Sequence, residues 1–262
     1  MLLEGKVIAV SGIGPGLGVK LAVEAAREGA RGIVLAARSA AKLEDAESRV
    51  RAVSTSCQIL KIPTDIRDPV QCGHLAAAAV DRFGRIDGLI NNAFEHGAFE
   101  PVDSGDLQQW QSAYDTNVVG SVQMTRAVVP AMKAQGGGAV VMINTMATIK
   151  PFVGEAGYAA SKGALLIAAK YLAIELGPNN IRVNTARMGW MWGAPVEGYV
   201  GLMAQAQGVS QKQIVDAIAA NIPLRRLVLD DECARAALFL VSDYASAMTG
   251  AIIDVNGGEA LT

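Results

Sequence analysis

The chain has few of the residues that usually hold metals or form disulfides. Its 262 residues include two histidines and three cysteines. Cys57, Cys72 and Cys233 are odd in number and widely separated, and they show no metal-binding spacing. His74 falls in a predicted surface helix, whereas His96 falls in a loop, where it is either solvated or in contact with a substrate. We therefore predict no metal site and no disulfide framework, and we expect reduced thiols in a cytoplasmic protein.

The chain also lacks an excess of either charge and any long apolar run. It carries 23 Lys and Arg against 25 Asp and Glu, a net charge of −2. Clustered positive charge is the usual mark of nucleic-acid binding, so no nucleic-acid partner is predicted. A bilayer-spanning helix needs about 20 consecutive apolar residues, and the sequence contains neither such a run nor a signal peptide. We therefore expect no membrane partner.

Apolar residues are abundant, and apolar runs alternate with helical patterns along the chain. They make up 51% of the sequence, enough for one large core in a single domain spanning residues 1–262. The alternation predicts an α/β domain of three layers, in which helices cover both faces of a seven-stranded parallel sheet. The predicted strands are residues 6–11, 32–37, 57–63, 86–91, 138–144, 180–184 and 251–255. The predicted helices are residues 16–29, 40–53, 69–83, 106–134, 156–177, 210–220 and 231–241.

A glycine-rich turn links the first predicted strand to the first predicted helix. Residues 11–18 read Ser-Gly-Ile-Gly-Pro-Gly-Leu-Gly. Glycines permit a tight turn and a close approach of a diphosphate to the backbone, and the amides of the following helix attract the anion. The spacing of Gly12, Gly16 and Gly18 differs from the Gly-x-Gly-x-x-Gly of ordinary dinucleotide folds, so a turn without a ligand is the alternative.

A tyrosine and a lysine lie four residues apart in the predicted helix 156–177. Tyr158 and Lys162 therefore share one helical face. A free tyrosine has a pKa of about 10, and a neighbouring cation lowers that pKa by favouring the phenolate. The pair is thus suited to protonating an alkoxide or deprotonating an alcohol. The alternative is an ordinary pair on a solvated helix.

Taken together, these residues resemble the short-chain dehydrogenase/reductase family, in its single-domain branch with a Tyr-x-x-x-Lys motif. Residues 11–18 are similar to the family's Thr-Gly-x-x-x-Gly-x-Gly cofactor motif, with serine for threonine. The resemblance covers nearly the whole chain and implies a Rossmann-like fold. Its other matching segments are Asn91-Asn92-Ala93, Asn117, residues 181–184, residues 223–226, Thr249-Gly250 and Gly257-Gly258.

The resemblance implies an NAD(P)-dependent oxidoreductase acting on a secondary alcohol or the matching ketone. It makes Tyr158 the general acid/base, and Lys162 the residue that lowers the pKa of Tyr158 and binds the nicotinamide ribose. Thr145 takes the place of the family's active-site serine and would hold the carbonyl oxygen, and Asn117 would anchor a water-linked proton path to Lys162. The residues implied to contact the cofactor are Ser11, Gly12, Gly16, Leu17, Gly18, Arg38, Asp65, Ile66, Asn91, Ala93, Tyr158, Lys162 and Met191.

The end of the second predicted strand favours NADP over NAD. An acid there commonly binds the ribose hydroxyls of NAD, whereas an arginine accommodates the 2′-phosphate of NADP. Ala37 stands where the family carries the acidic residue, and Arg38 follows it. The guanidinium of an arginine can donate two hydrogen bonds to a phosphate. Pro15 argues the other way, because many NADP-preferring relatives carry a second basic residue there. The alternatives are NAD as cofactor and an Arg38 that is solvated against the adenine.

Three departures from the family pattern favour a second hypothesis, a catalytically weakened dinucleotide-binding sensor or scaffold. Thr145 keeps the hydroxyl but adds a methyl group that restricts its rotamer. Phe94 replaces a glycine and must adopt an ordinary backbone conformation. Met188-Gly189 replaces a Pro-Gly pair, and Gly193 stands where a threonine often binds the carboxamide, leaving backbone groups near Met191 for that task.

The segment from 190 to about 220 matches the family's variable substrate lid. It contains Trp190, Trp192 and Tyr199, and Glu197 is its only charged residue between 190 and 208. We expect a loop here that closes over a bulky, mostly apolar substrate, with ordinary core packing as the alternative for some of these side chains.

The helices 106–134 and 156–177 carry apolar and small residues around much of their circumference. In the second helix these include Ala159, Ala160, Gly163, Ala164, Ala168 and Ala169. A helix that is apolar all round is buried, and the family commonly forms dimers or tetramers through these two helices. We therefore predict a homo-oligomer, either a dimer or a tetramer.

Overall fold

Nine strands form two sheets in the computed structural model, which describes residues 1–261. Seven parallel strands form the main sheet in the order β3-β2-β1-β4-β5-β6-β9, and β7 pairs with β8 in a small separate sheet. The strands are β1 (Val7–Ser11), β2 (Gly32–Ala37), β3 (Gln58–Pro63), β4 (Gly88–Asn91), β5 (Gly138–Thr145), β6 (Ile181–Met188), β7 (Met191–Trp192), β8 (Val228–Leu229) and β9 (Ile252–Val255).

Helices cover both faces of the main sheet, which confirms the predicted three-layer α/β architecture. They are α1 (Leu17–Arg27), α2 (Ala40–Val53), α3 (Pro69–Phe83), α4 (Leu107–Tyr114), α5 (Ser121–Ala134), α6 (Ala156–Leu176), α7 (Ala194–Gln207), α8 (Gln211–Ala219) and α9 (Asp230–Val241). Among the helices of residues 1–261, none is both long and apolar enough to cross a bilayer.

Alternate residues of the central strands enter two different cores. In β1, Ile8 and Val10 pack with side chains of α1, α2 and α9, whereas Val7 and Ala9 pack with those of α3, α5 and α6. Successive side chains of a strand point to opposite faces, so a strand covered on both faces must be apolar throughout. All five residues of β1 are buried, as are all six of β2.

Three local features differ from the sequence prediction. The predicted helix 106–134 is α4 and α5, joined by a π-helical segment over Asp115–Gly120. The strands β7 and β8 are too short to leave a periodic signal. The expected lid loop contains the helix α7, whose signal in the sequence is weak because Gly198 and Gly201 lower its helix propensity.

The order of the strands places a crevice above the centre of the sheet. β1 is flanked by β2 on one side and by β4 on the other, so the chain changes direction there. In open parallel sheets, ligands bind beyond the carboxyl ends of the strands at this switch point. A cleft of about 590 Å³ lies there, lined by residues at the carboxyl ends of β1, β2, β3, β4, β5 and β6 or directly after them.

Candidate active site

The glycine-rich turn forms the floor of the cleft. Gly12 has a positive φ of 83°, and a β-carbon there would collide with the backbone of Ala93. A β-carbon at Gly18 would collide with the carbonyl of Gly12, which accepts a hydrogen bond of 2.7 Å from Asn92 Nδ2. The turn thus requires glycine for packing, and it leads into α1 with no side chain capping the helix. Free amides at a helix N-terminus form a cradle that suits a diphosphate.

Some predicted cofactor contacts line this cleft, and two do not. Gly12, Gly16, Leu17, Gly18, Arg38, Asp65, Ile66, Ala93 and Met191 all line it. Ser11 and Asn91 lie behind it, each 1% exposed. Asn91 Nδ2 donates to Thr125 Oγ1 at 3.0 Å, and the Ser11 hydroxyl lies 3.4 Å from the carbonyl of Ile90. Both side chains therefore join neighbouring elements of the core, and Asn92 lines the cleft in place of Asn91.

Positive side chains gather where β2 ends. Arg38 is exposed at the cleft wall, and Lys42 and Ser39 from the start of α2 line the same wall. Asp65 is engaged by Arg67, whose Nη2 lies 2.6 Å from Asp65 Oδ2. This hydrogen bond lowers the pKa of Asp65, and the charge of Arg38 adds to the effect. Ser39, Lys42 and Arg67 were not predicted, although Lys42 stands one helical turn beyond Arg38.

Tyr158, Lys162 and Thr145 meet at the other end of the cleft. All three line it, and the Thr145 hydroxyl lies close enough to the Tyr158 phenol to lower its pKa by hydrogen bonding. Lys162 is 2% exposed; its Nζ lies 5.9 Å from the centre of the Tyr158 ring and donates to the carbonyl of Ile143 at 2.9 Å. The amide of Asn144 donates to the carbonyl of Lys162 at 2.9 Å and so fixes α6 against β5.

Burial governs the ionisation of both groups, which differs from the expectation that Lys162 lowers the pKa of the tyrosine. Burial raises the pKa of Tyr158, the charge of Glu155 raises it further, and the hydrogen bond with Thr145 lowers it. Burial lowers the pKa of Lys162 to about 7. A lysine that is only partly protonated near neutral pH stabilises the Tyr158 phenolate less than a fully charged lysine does.

Asn117 lies behind Thr145, Tyr158 and Lys162 in the π-helical segment and does not line the cleft. Its side chain accepts a hydrogen bond from the amide of Glu95 and donates to the carbonyl of Glu95, both at 2.8 Å. It also donates to Ser161 Oγ at 2.9 Å. Asn117 therefore fixes the loop after β4 to α6, one turn away from Tyr158.

Phe94 lines the cleft beside Tyr158, whereas Trp190, Trp192 and Tyr199 of the lid pack next to it without lining it. Phe94 is exposed there, with its ring centre 6.2 Å from that of Tyr158. Trp190 packs edge-on against Phe152 and lies 5.6 Å from Tyr199 on α7. Trp190 and Trp192 also pack against Ala219, Ile222 and Leu227. The lid therefore has a small apolar core of its own, so core packing accounts for part of its aromatic residues.

The start of α7 lies directly over the glycine-rich turn. Pro195 lines the cleft, and a β-carbon at Gly16 would lie 3.2 Å from its ring. Gly193 packs against Asp230 at the start of α9, where a β-carbon would lie 2.7 Å from Oδ2. The lid thus contacts the floor of the cleft.

Known proteins resemble the chain over nearly its full length. Residues 12–259 match the family described as enoyl-(acyl carrier protein) reductase. The human dehydrogenase/reductase SDR family member 4 is 32% identical over 261 residues, which cover 98% of this chain and 88% of that protein.

Two solved structures show the same fold with different nicotinamide cofactors. The L-sorbose reductase of Gluconobacter frateurii, complexed with NADPH and L-sorbose, superposes with a TM-score of 0.92 at 29% identity, covering 100% of this chain and 99% of that one. An NAD⁺-bound xylitol dehydrogenase superposes with a TM-score of 0.90 at 31% identity, covering 98% of this chain and 100% of that one.

Proposed function

The chain belongs to the short-chain dehydrogenase/reductase family of NAD(P)-dependent oxidoreductases that act on CH–OH groups, and we propose that it uses NADP and acts on a bulky, mostly apolar secondary alcohol or ketone. One observation carries this proposal. Thr145, Tyr158 and Lys162 meet at one end of a cleft whose other end holds the glycine-rich turn and an exposed arginine.

The proposed chemistry places one proton transfer on Tyr158. The bound nicotinamide supplies the hydride donor or acceptor. The Tyr158 phenol donates a proton to the substrate oxygen during reduction and accepts one during oxidation. Thr145 holds that oxygen through the hydroxyl that already contacts the phenol. Lys162 binds the ribose, and its protonated amine stabilises the phenolate of Tyr158. Asn117 holds the loop after β4 against α6.

The proposed preference for NADP rests on the charges where β2 ends. Ala37 offers no carboxylate to the ribose hydroxyls, and Arg38, Ser39 and Lys42 line the wall beside it. No ion pair engages Arg38 or Lys42 within residues 1–261, so both are available to a 2′-phosphate. Asp65, an acid that also lines the cleft, is already paired with Arg67. A guanidinium and an ammonium side by side suit a phosphate dianion better than a pair of hydroxyls.

The proposed substrate class rests on the lid. An aromatic residue buries about 150–250 Å² of apolar surface, and Trp190, Trp192 and Tyr199 belong to one lid. A small charged substrate gains little from such a surface and loses hydration there. The related reductase binds L-sorbose, a polar sugar. Similarity of fold therefore does not favour an apolar substrate, and the proposal depends on the lid residues of this chain.

Comparison of kcat/KM over ketones of rising apolar size tests the substrate class. We expect cyclic, terpenoid or steroid-like ketones to have higher kcat/KM than short ketones and small oxo acids. The highest kcat/KM on a small anionic oxo acid would contradict the proposal.

Trp192→Ala is expected to raise KM for the bulky ketone by about tenfold, because truncating a partly buried tryptophan removes about 1–3 kcal/mol of apolar contact. The affinity for NADP should change by less than about twofold. Tyr244→Ala is the control, because it truncates an aromatic residue that is 78% exposed outside the lid. Equal loss of ketone and NADP affinity in Trp192→Ala would count against a direct contact with the substrate.

We also propose that α6 forms part of a homo-oligomer interface, as a dimer or tetramer. Ile167, Tyr171 and Ile174 lie on one outward face of α6 and are 52%, 64% and 75% exposed. Residues spaced by three and four share a helical face, and such an apolar stripe usually marks a contact with another protein.

Light scattering at micromolar concentration is expected to give at least twice the mass of the chain, and Ile174→Lys is expected to lower that mass. Lys212→Ile, an opposite change at an exposed position of α8, is the control. A monomeric wild type would rule out the interface.

The three thiols are consistent with a reducing compartment, and we propose a cytoplasmic location. Cys57, Cys72 and Cys233 are free and buried. Burial raises the pKa of Cys57 and of Cys72 to about 11, and that of Cys233 to about 12, so all three remain unreactive thiols at neutral pH.

A further inference from the structure

Three stacked rings connect the loop after β4 to Tyr158. The imidazole of His96 lies between the ring of Phe99, at 4.1 Å, and the ring of Tyr158, at 4.5 Å, and is tilted by 22° from each. Stacking at this distance places the imidazole directly against the face of the phenol. Any charge on His96 therefore lies within the range at which it shifts the ionisation of Tyr158.

The position of His96 is fixed by the residue before it. Asn117 binds both the amide and the carbonyl of Glu95 at 2.8 Å. The Glu95 side chain accepts a hydrogen bond of 3.2 Å from the Thr116 hydroxyl. The loop is thus clamped at one end of the ring stack, and α6 holds the other end.

The charged groups that face His96 are carboxylates. Glu155, at the start of α6, places its Oε1 3.9 Å from His96 Nε2. Glu100 and Asp106 line the recess around the imidazole, which includes no lysine or arginine within the part of the chain described. Both of these acids have other partners, because Glu100 accepts from the Asp106 amide and Asp106 caps α4 through the Gln108 amide. Glu155 is therefore the carboxylate best placed to pair with a protonated His96 through Nε2. The other ring nitrogen, Nδ1, is buried and has no hydrogen bond within residues 1–261.

We propose that His96 and Glu155 are positioning residues that form a titratable pair, and that this pair sets how readily the Tyr158 phenol releases its proton. The proposal rests on the function proposed above for Tyr158, and it adds a second control on that residue besides Lys162.

The sign of the control follows from the charges. The Glu155 carboxylate lies one helical turn before Tyr158 and raises the pKa of the phenol. Protonation of His96 cancels that negative charge and places a cation against the ring, so the pKa of Tyr158 falls. The phenol then becomes a stronger acid and protonates a substrate oxygen more readily. Ketone reduction should therefore accelerate as pH falls through the titration of the pair.

Burial brings the two titrations towards the same pH range. It lowers the pKa of His96 below its usual value and raises the pKa of Glu155 above its usual value. The ordinary values are about 6.5 and 4.3, so the pair changes charge on the acid side of neutrality. Two groups this close titrate as a coupled pair.

The first arm of the test compares pH profiles of kcat/KM for wild type, Glu155→Gln and His96→Phe. Glu155→Gln removes the negative charge, so the rise of alcohol oxidation with pH should move to lower pH by roughly one unit. Glu155 makes no side-chain cap to α6, so this change removes no helix cap. His96→Phe keeps the ring stack and loses the titration, so the acid-side acceleration of ketone reduction should disappear. His74→Phe, the same change at the exposed second histidine, should leave both profiles unchanged.

The second arm follows the imidazole protons by NMR and needs no turnover. The two histidine signals are assigned with His96→Phe and His74→Phe. The His96 signal should titrate below the ordinary range, and Glu155→Gln should move its midpoint further down, because the neutral amide no longer stabilises the imidazolium.

The two arms separate this inference from the proposed function. A wild type without turnover on any carbonyl would refute the proposed function and, because the pair is proposed to control catalysis by Tyr158, would overturn its coupling to Tyr158 as well. An active enzyme whose His96→Phe and Glu155→Gln profiles superimpose on wild type would overturn only the inference and leave His96 a purely structural ring. An unchanged His96 titration in Glu155→Gln would also overturn it, because the pair would not exist.

Discussion

Replacing Tyr158 by phenylalanine is expected to lower kcat by on the order of 10² or more, the usual contribution of a general acid/base group. The change removes the oxygen that contacts Thr145 and keeps the ring that stacks on His96. The affinity for NADP should therefore be largely retained. Steady-state kinetics on a verified ketone, with calorimetric titration of NADP, measures both quantities.

Two further variants show whether the loss of activity in Tyr158→Phe is specific to this tyrosine and its neighbouring lysine. Tyr244→Phe removes the same oxygen from an exposed tyrosine outside α6 and the cleft, and it should leave kcat unchanged. Lys162→Ala should reduce both turnover and the affinity for NADP, because the lysine lies beside the ring and lines the cleft. Near-normal activity of Tyr158→Phe would show that another group transfers the proton.

Arg38→Asp is expected to weaken NADP binding by on the order of 10²-fold. It removes a charge-assisted hydrogen bond, worth about 1.5–3 kcal/mol, and adds a carboxylate that repels the 2′-phosphate. The same carboxylate can accept hydrogen bonds from the ribose hydroxyls, so the affinity for NAD should hold or rise. Calorimetric or fluorescence titration of both cofactors measures this change of preference.

Arg49→Asp is the matched control for Arg38→Asp. It makes the same charge reversal on α2 at a residue that pairs with Asp45 and does not line the cleft. It should leave the preference between NADP and NAD unchanged. A wild type that binds NAD more tightly than NADP would be incompatible with the assignment of Arg38 to a phosphate.

The parts of the site that follow strand ends were predictable from the sequence. The glycine-rich turn, Arg38, Asp65, Ala93 and Thr145 each lie at or directly after the end of a parallel strand. Parallel strands bring their carboxyl ends to one edge of the sheet, so order along the chain is enough to group these residues. The i, i+4 spacing of Tyr158 and Lys162 likewise places them on one face of α6.

Other features depend on packing that a local pattern does not reveal. Asn117 lies in a π-helical segment whose carbonyls and amides bond with a different spacing from those of the helices on either side. Ser11 and Asn91 belong to the sequence motifs, yet their side chains lie in the core of the sheet and not in the cleft. The approach of His96 to Tyr158 joins a loop to a helix across 62 residues of sequence, and no periodicity predicts such a contact.

The composition of the lid segment predicted its apolar character but not its helix α7. Its tryptophans predicted an apolar surface for a substrate, and in the structure they pack partly against Ile222 and Leu227. The helix α7 forms although it contains Gly198 and Gly201, because its apolar side chains, such as Val196, find partners in the lid core. Tertiary contacts of this kind override a weak helix propensity.

Transfer of deuterium from NADPH labelled at the nicotinamide C4 position tests the central claim most directly. Mass spectrometry of the alcohol formed from a bulky cyclic ketone should show one deuterium at the carbinol carbon, and Tyr158→Phe should abolish most of this product. Tight binding of NADPH without deuterium transfer to any carbonyl of a broad panel would contradict the account and would favour a dinucleotide-binding sensor or scaffold.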